Sequence, residues 1–167
     1  MGTAYISLGS NLGDRMANLK RAIHLLNSPA THVTHVSRFY ETVPIGATME
    51  PVPLYINCVV RVETTLNPEG LLDFTQNLER TCGRKPTFRW GPRVMDADIL
   101  LFDDLEIHTE RLTIPHPSMM ERAFALLPLA EIDPDIVFPN GVSLRERLAN
   151  PEIQAQKLAP LATEASI

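Results

Sequence analysis

Only two cysteines, Cys58 and Cys82, occur in the 167 residues. One lies in an apolar alternation and the other at an expected helix end, so they form neither a paired metal spacing nor a disulfide framework. Reduced thiols in a cytoplasmic protein are the simplest expectation. Long hydrophobic runs are also missing. No stretch approaches the ~20 apolar residues of a membrane span, and the N-terminus lacks a basic region followed by an apolar core, so a soluble, untargeted protein with no membrane partner is expected. The third absence is an excess of positive charge: 15 Lys and Arg face 20 Asp and Glu, a formal charge of −5. That balance disfavours a nucleic-acid partner, because such proteins carry a broad basic surface, and the aromatic signature of an RNA-binding sheet is absent as well. The turn Gly9–Asp14 joins an expected strand to an expected helix but lacks the Lys-Ser/Thr ending of a Walker A loop. No protein-kinase signature occurs.

What is present suits one domain over residues 1–150 followed by a tail, 151–167. Ala4, Ile6 and Leu8 alternate with Tyr5 and Ser7, the period of a half-buried strand ending at Gly9. Asp14 can cap a helix whose apolar positions Met16, Leu19, Ile23 and Leu26 recur at helical spacing. Val33–Tyr40 reads as a second strand with imperfect alternation, and the following segment 43–53, with Pro44, Gly46, Pro51 and Pro53, reads as a long loop. A third strand places Ile56, Cys58, Val60 and Val62 on one face and Tyr55, Asn57, Val59 and Arg61 on the other. Asn67-Pro68 caps a second helix with Leu71, Phe74 and Leu78 as its buried stripe and Gln76 and Glu79 on a different face. Gly83 suits the position just past its end.

Asp96–Phe102 reads as a fourth strand. Leu105–His108 and Arg111–Ile114 suggest a hairpin, Ser118-Met119-Met120-Glu121 a capping box opening a third helix, and Ser143–Glu146 a second such box; the residues after Asn150 suggest a loose tail. The order is β-α-β-β-α-β. It predicts an α+β, ferredoxin-like fold: a mostly antiparallel sheet backed by helices, with a short hairpin and C-terminal helical additions.

Chemistry concentrates in residues 83–98. Arg84, Lys85, Arg89 and Arg93 crowd a segment broken by Pro86, Gly91 and Pro92, with Trp90 among them, and the segment runs into Asp96-Ala97-Asp98. Cations clamp phosphate oxygens and paired carboxylates hold hard divalent ions, so these are parts of a metal-dependent phosphoryl-transfer site. Two residues apart on a strand, Asp96 and Asp98 project from one face. Each part has a plainer reading: the acids as a solvated strand end, the cations as a solvated loop. Their adjacency favours the functional one. Asp103-Asp104 follows the apolar run, where turn chemistry accounts for it. His116, between Pro115 and Pro117, can donate to a phosphate or cap the next helix, and Phe124 is a core position as readily as a ligand contact.

The run Arg89-Trp90-Gly91-Pro92-Arg93-x-x-Asp96-x-Asp98-Ile99-Leu100 resembles the signature of the 6-hydroxymethyl-7,8-dihydropterin pyrophosphokinase family of folate biosynthesis. Gly9-Ser10-Asn11-Leu12-Gly13, Phe39-Tyr40-x-Thr42, Tyr55-Ile56-Asn57 and Arg111–Pro117 extend the resemblance over roughly residues 3–148. It implies an ATP-dependent, magnesium-requiring transferase that moves pyrophosphate to a reduced pterin and releases AMP, working as a cytoplasmic monomer. It implies that Asp96 and Asp98 hold two magnesium ions and that Arg84 and Arg93 neutralise charge on the transferred group. Gln76, Glu79, Trp90, Arg111, Thr113, His116 and Arg122 would face the nucleotide, and Thr42, Pro44, Ile45, Tyr55, Asn57 and Phe124 the pterin. The chain departs from the family pattern at Pro86, Phe88 and Pro117. A magnesium phosphohydrolase and an RNA-binding module are the competing readings.

Overall fold

The computed structural model describes residues 1–42, 54–84, 93–156 and 158–161. In chain order the elements are β1 (Gly2–Ser10), α1 (Arg15–Leu26), β2 (Thr31–Val36), β3 (Tyr40–Thr42), β4 (Tyr55–Thr64), α2 (Pro68–Thr81) and β5 (Asp96–Phe102). The hairpin β6 (Ile107–His108) and β7 (Thr113–Ile114), α3 (Ala123–Ile132), α4 (Leu144–Leu148), α5 (Pro151–Gln154) and β8 (Ala159–Pro160) follow. The main sheet runs β5-β1-β4-β3-β8, with β2 also on β4, and every pairing is antiparallel. Counting β2 and β3 as halves of one strand, the spatial order is fourth, first, third, second, the ferredoxin-like arrangement.

The expected strand 33–40 is split, and Ser37 is the cause. Its backbone N–H donates to the Val59 carbonyl at 2.9 Å, while its hydroxyl oxygen, not its carbonyl, accepts from the Val59 N–H at 2.9 Å. The side chain thus replaces one rung of the ladder, and Phe39 turns in to become fully buried. The imperfect alternation noted in the sequence is this break.

Alternation then sorts side chains into two cores. Ala4, Ile6, Leu8, Ile56, Cys58, Val60 and Val62 pack under α1 and α2, against Leu19, Ile23, Leu26, Leu71 and Leu78. Tyr5, Val59, Leu100 and Leu101 pack on the opposite face against Ala123, Leu126 and Leu129 of α3, joined by Leu144 and Ile153. Each fully buried Leu or Ile contributes roughly 1.5–3 kcal/mol, so the two faces together dominate stability. On α2 the buried line is Leu71, Thr75, Leu78 and Glu79, and Phe74, expected in the stripe, is half-buried.

The helix starts are mostly as expected. Asp14 accepts from the Ala17 N–H at 3.1 Å, Asn67 from Gly70 at 2.7 Å and Ser143 from Glu146 at 3.1 Å. Ser118 differs. It makes no side-chain cap bond and opens only a 3-10 turn, Met119–Glu121, because Met119 is drawn fully into the core and Arg122 is extended. The expected loose tail is ordered in part: α5 buries Ile153, and β8 pairs with β3.

The end of α2 positions the site. Gly83 has φ +98°, its N–H donates to the Arg80 carbonyl, and the Arg84 N–H donates to the Glu79 carbonyl, both at 3.0 Å. This pattern reverses the chain and brings Arg84 back over α2. A Cβ at Gly83 would meet no atom within 4 Å, so only backbone strain opposes one. Gly83→Ala should therefore lower unfolding free energy by ~1–2 kcal/mol, and Gly83→Asn by less. A urea midpoint unchanged in Gly83→Ala would contradict this.

Candidate active site

Asp96 and Asp98 open β5, the edge strand, with Ala97 and Ile99 turned into the α1/α2 core, so both carboxylates lie on the face that carries α3. Opposite them on β1 are Gly9 and Ser7, and opposite Gly9 on β4 is Asn57. The row Asp96–Gly9–Asn57 has no side chain at its middle. A Cβ on Gly9 would stand 2.5 Å from Asn57 Oδ1 and 3.3 Å from Tyr55 Cδ1. Its absence lets Tyr55 reach across the strand, where its hydroxyl donates to Asp96 Oδ2 at 3.4 Å.

Two guanidinium groups meet Asp96 from the other side: Arg84 Nη1 lies 3.3 Å and Arg93 Nη1 3.4 Å from Oδ1. Each is held separately. Arg84 also donates to Glu79 Oε2 at 2.5 Å, and that same oxygen accepts the Ala97 N–H at 3.0 Å. Glu79 therefore links α2, Arg84 and the start of β5. The Arg93 N–H donates to Asn11 Oδ1 at 2.7 Å, and the Asn11 N–H returns to the Arg93 carbonyl at 3.0 Å.

The electrostatics are unbalanced. Burial, then repulsion from Asp98, raises the Asp96 carboxyl from an ordinary 3.8 to about 6 despite Arg84. Burial likewise raises Glu79, opposed by the Ala97 amide and Arg84. Burial followed by the Asp96 charge pushes the Tyr55 hydroxyl far up, so it stays a donor. At the far side of the pair, burial lowers His116, with Asp98 opposing and Arg122 adding to the fall. His116 Nδ1 accepts the Ser118 N–H at 3.3 Å, so the neutral ring carries its hydrogen on Nε2. The Arg122 guanidinium lies 5.5 Å over the Phe124 ring at the start of α3.

On the β4 side, Asn57 Nδ2 donates to Thr42 Oγ1 at 2.5 Å, which fixes the amide and leaves Oδ1 facing Gly9. Arg15 pairs with Glu41 at 2.9 Å and donates to the Leu54 carbonyl at 2.7 Å, tying the ends of β3 and β4 together. Among the described residues no group of three or more His, Cys, Asp or Glu gathers as a metal cage. A half-buried carboxylate and an exposed one on the same strand face still fit Mg²⁺, which takes one or two carboxylates and fills its shell with water and substrate phosphate.

Residues 5–134 match the model of the 7,8-dihydro-6-hydroxymethylpterin-pyrophosphokinase (HPPK) family. The chain belongs to the HPPK family. It is 51% identical over 130 residues to 2-amino-4-hydroxy-6-hydroxymethyldihydropteridine pyrophosphokinase of Bacillus subtilis, covering 77% of each. Identity is 43% over 150 residues to the protein of that name from Methylorubrum extorquens, covering 89% of this chain and 93% of the relative. Among solved structures, wild-type HPPK-DHPS of Plasmodium falciparum shares the fold at TM-score 0.68 and 18% identity, over 87% of this chain and 44% of that one. An HPPK-DHPS in complex with substrates aligns at TM-score 0.68 and 16% identity; the chain spans 42% of its length.

Of the residues that the HPPK resemblance singled out, Arg84, Arg93, Asp96, Asp98, Glu79, His116, Arg122 and Tyr55 form one neighbourhood by contact or charge. Asn57 and Thr42 adjoin it across Gly9, and Phe124 adjoins it beneath Arg122. Gln76 is exposed on α2 and Thr113 half-buried in β7, while Arg111 pairs with Glu69 and Asp73 of α2 at 2.9 and 2.5 Å. Lys85, Arg89, Trp90, Pro44 and Ile45, and the loop 43–53, lie outside the described residues. Sequence reasoning missed two contributors. Asn11, in a turn counted within the resemblance but given no role, positions Arg93, and Gly9, read as a strand end, is the gap across which the site's halves meet.

Because folding raises the Asp96 carboxyl, the unfolded chain loses that proton first as pH increases. The native state therefore loses stability between about pH 4 and 6. Asp96→Asn should raise the Tm of the ligand-free protein at pH 7, with the gain fading as pH falls toward 4. A gain equal at both pH values, or none at pH 7, would contradict that origin.

Proposed function

We infer that the chain catalyses ATP-dependent pyrophosphoryl transfer to the hydroxymethyl group of 6-hydroxymethyl-7,8-dihydropterin, giving AMP and the pterin diphosphate of folate biosynthesis. One observation carries the site assignment. The acid pair with its two guanidinium partners and the side chains of Tyr55 and Asn57 come together on one face of the sheet across Gly9.

The pterin binds on the β4 side of that gap. Tyr55 and Phe124 supply flat apolar surface, Asn57 Oδ1 accepts from the ring's amino edge, and the Thr42 hydroxyl, itself accepting from Asn57, donates to a ring acceptor. Pro44 and Ile45 complete the same pocket in this reading. The triphosphate lies on the β5 side, with the nucleotide toward Gln76, Glu79, Trp90, Arg111, Thr113, His116 and Arg122. The pterin hydroxyl oxygen bonds to the β-phosphorus, the bond from that phosphorus to the oxygen bridging to the α-phosphate breaks, and AMP departs with the bridging oxygen. The hydroxyl proton leaves to solvent.

Asp96 and Asp98 would hold two Mg²⁺ ions, which supply charge neutralisation and orientation of the phosphate oxygens. Arg84 and Arg93 donate to the oxygens on which charge grows, and both are pre-positioned, by Glu79 and Asn11 respectively. Neutral His116 offers Nε2–H to a phosphate oxygen without adding a full charge. This reading makes residues 1–150 a single catalytic domain with a tail over 151–167, acting as a cytoplasmic monomer on two small-molecule substrates. Among the described residues no helix is long and apolar enough to cross a membrane.

Incubation with ATP, Mg²⁺ and the reduced pterin alcohol should yield AMP and no inorganic phosphate. Release of inorganic phosphate independent of the pterin would establish a phosphohydrolase instead. Asp98→Ala should lower AMP formation by at least ~10³-fold with the circular dichroism of the parent, since Asp98 is exposed. Substantial turnover in that variant rejects the metal assignment. Arg93→Ala should slow single-turnover chemistry by ~10²-fold or more and change ATP affinity far less. Weakened nucleotide binding by calorimetry, at an unchanged single-turnover rate, contradicts that role.

A further inference from the structure

The helix start that carries Arg122 and Phe124 has no cap of its own. Arg122 is its N-cap residue, extended at φ −120° and ψ 110°, and makes no side-chain cap bond. The cap comes from far along the chain. Gln156 Oε1 accepts the Ala123 N–H, the first amide of α3, at 2.8 Å, and Gln156 Nε2 donates to the Glu121 carbonyl at 2.7 Å. Those two bonds straddle Arg122. One turn earlier, Arg147 Nε donates to the Met120 carbonyl.

The capping segment is itself anchored. Asn150 accepts the Glu152 N–H at 2.8 Å to start α5, and Ile153 is buried in the same apolar core as Met119, Ala123 and Leu126. Beyond it, Ala159 and Pro160 pair with Glu41 and Tyr40, and the Leu161 N–H donates to the Phe39 carbonyl at 2.9 Å. That contact reaches β3, the strand ending in Thr42. The bracing residues themselves, from Arg147 to Leu161, lie past position 134, where the family match stops.

We propose that residues 151–156 and 158–161 brace the substrate site, with Gln156 as the positioning residue that fixes how Arg122 and Phe124 enter it. The proposal rests on reading those two residues as substrate contacts. An uncapped first turn frays, so without Gln156 the side chains at its start hold the binding geometry only part of the time. Apparent affinity then falls by the fraction of time the site is formed, while the rate of the loaded enzyme is kept. A segment that merely held the fold together would behave differently: Tm and the active fraction would fall together, with KM unchanged.

The test is Gln156→Ala beside Gln156→Glu in the full chain, read by steady-state kinetics with ATP and the reduced pterin alcohol, by Tm, and by amide hydrogen exchange at Ala123. Gln156→Ala should raise KM about fivefold to tenfold with kcat within about twofold, lower Tm by no more than ~4 °C, and speed exchange at Ala123. Gln156→Glu keeps an acceptor for that amide and should return KM to within about twofold of the parent. Unchanged KM in Gln156→Ala, or a kcat that falls in step with Tm, overturns the proposal. If the parent makes no AMP, the enzymatic reading fails by itself, and unchanged exchange at Ala123 in Gln156→Ala would then overturn the brace.

Discussion

A half-buried carboxylate with a second carboxylate two residues along the same strand face is electrostatically incomplete, and the surrounding structure is arranged about Asp96 for that reason. Arg84 and Arg93 approach it at 3.3 and 3.4 Å, yet burial and Asp98 outweigh them and its proton is still held to about pH 6. A site that stabilised its own charge fully would have little affinity left for a cation and a polyphosphate. In the proposed function a divalent ion would supply positive charge at the pair, and the arginines would donate to phosphate oxygens.

The second constraint is spatial. Among the described residues, the side chains that meet Asp96 are each held by a further contact: Arg84 by Glu79, Arg93 by Asn11, and Tyr55 by the β1–β4 ladder. Gly9 lies at the centre of the ladder row, and its missing side chain lets Tyr55 and Asn57 lie next to the Asp96 side of the row. The sheet itself is therefore the floor of the site. The α1/α2 layer, on the opposite face, reaches the Asp pair through Glu79 and, just past the end of α2, Arg84.

Much of this was legible in the residues alone. Period-two alternation puts Tyr55 and Asn57 on one face of their strand and Asp96 and Asp98 on one face of theirs; that the two faces coincide comes from the pairing of both strands with β1. The Asn67-Pro68 start and Gly83 end of α2 carry unambiguous capping chemistry, so Arg84's position followed from local rules. What could not be read depended on partners distant in sequence. Ser37 interrupts its strand because its hydroxyl finds Val59; Ser118 fails as a cap because Met119 is worth more in the core than on a helix surface. Glu79 looks like any polar helix residue until the free amide of Ala97 is beside it, and Gln156 lies in a stretch without periodicity. Side-chain-to-backbone bonds across 18 to 33 residues leave no local pattern.

Burial and the neighbouring Asp98 hold the proton on Asp96 against the two arginines. Carbon-detected NMR titration of the Asp96 and Asp98 carboxyls, without ligand and then with Mg²⁺ and a non-hydrolysable ATP analogue, tests this directly. The account predicts that Asp96 titrates near pH 6 in the free protein and moves below its ordinary range in the loaded one. An Asp96 carboxyl that titrates at the ordinary carboxylate value in both states would contradict it.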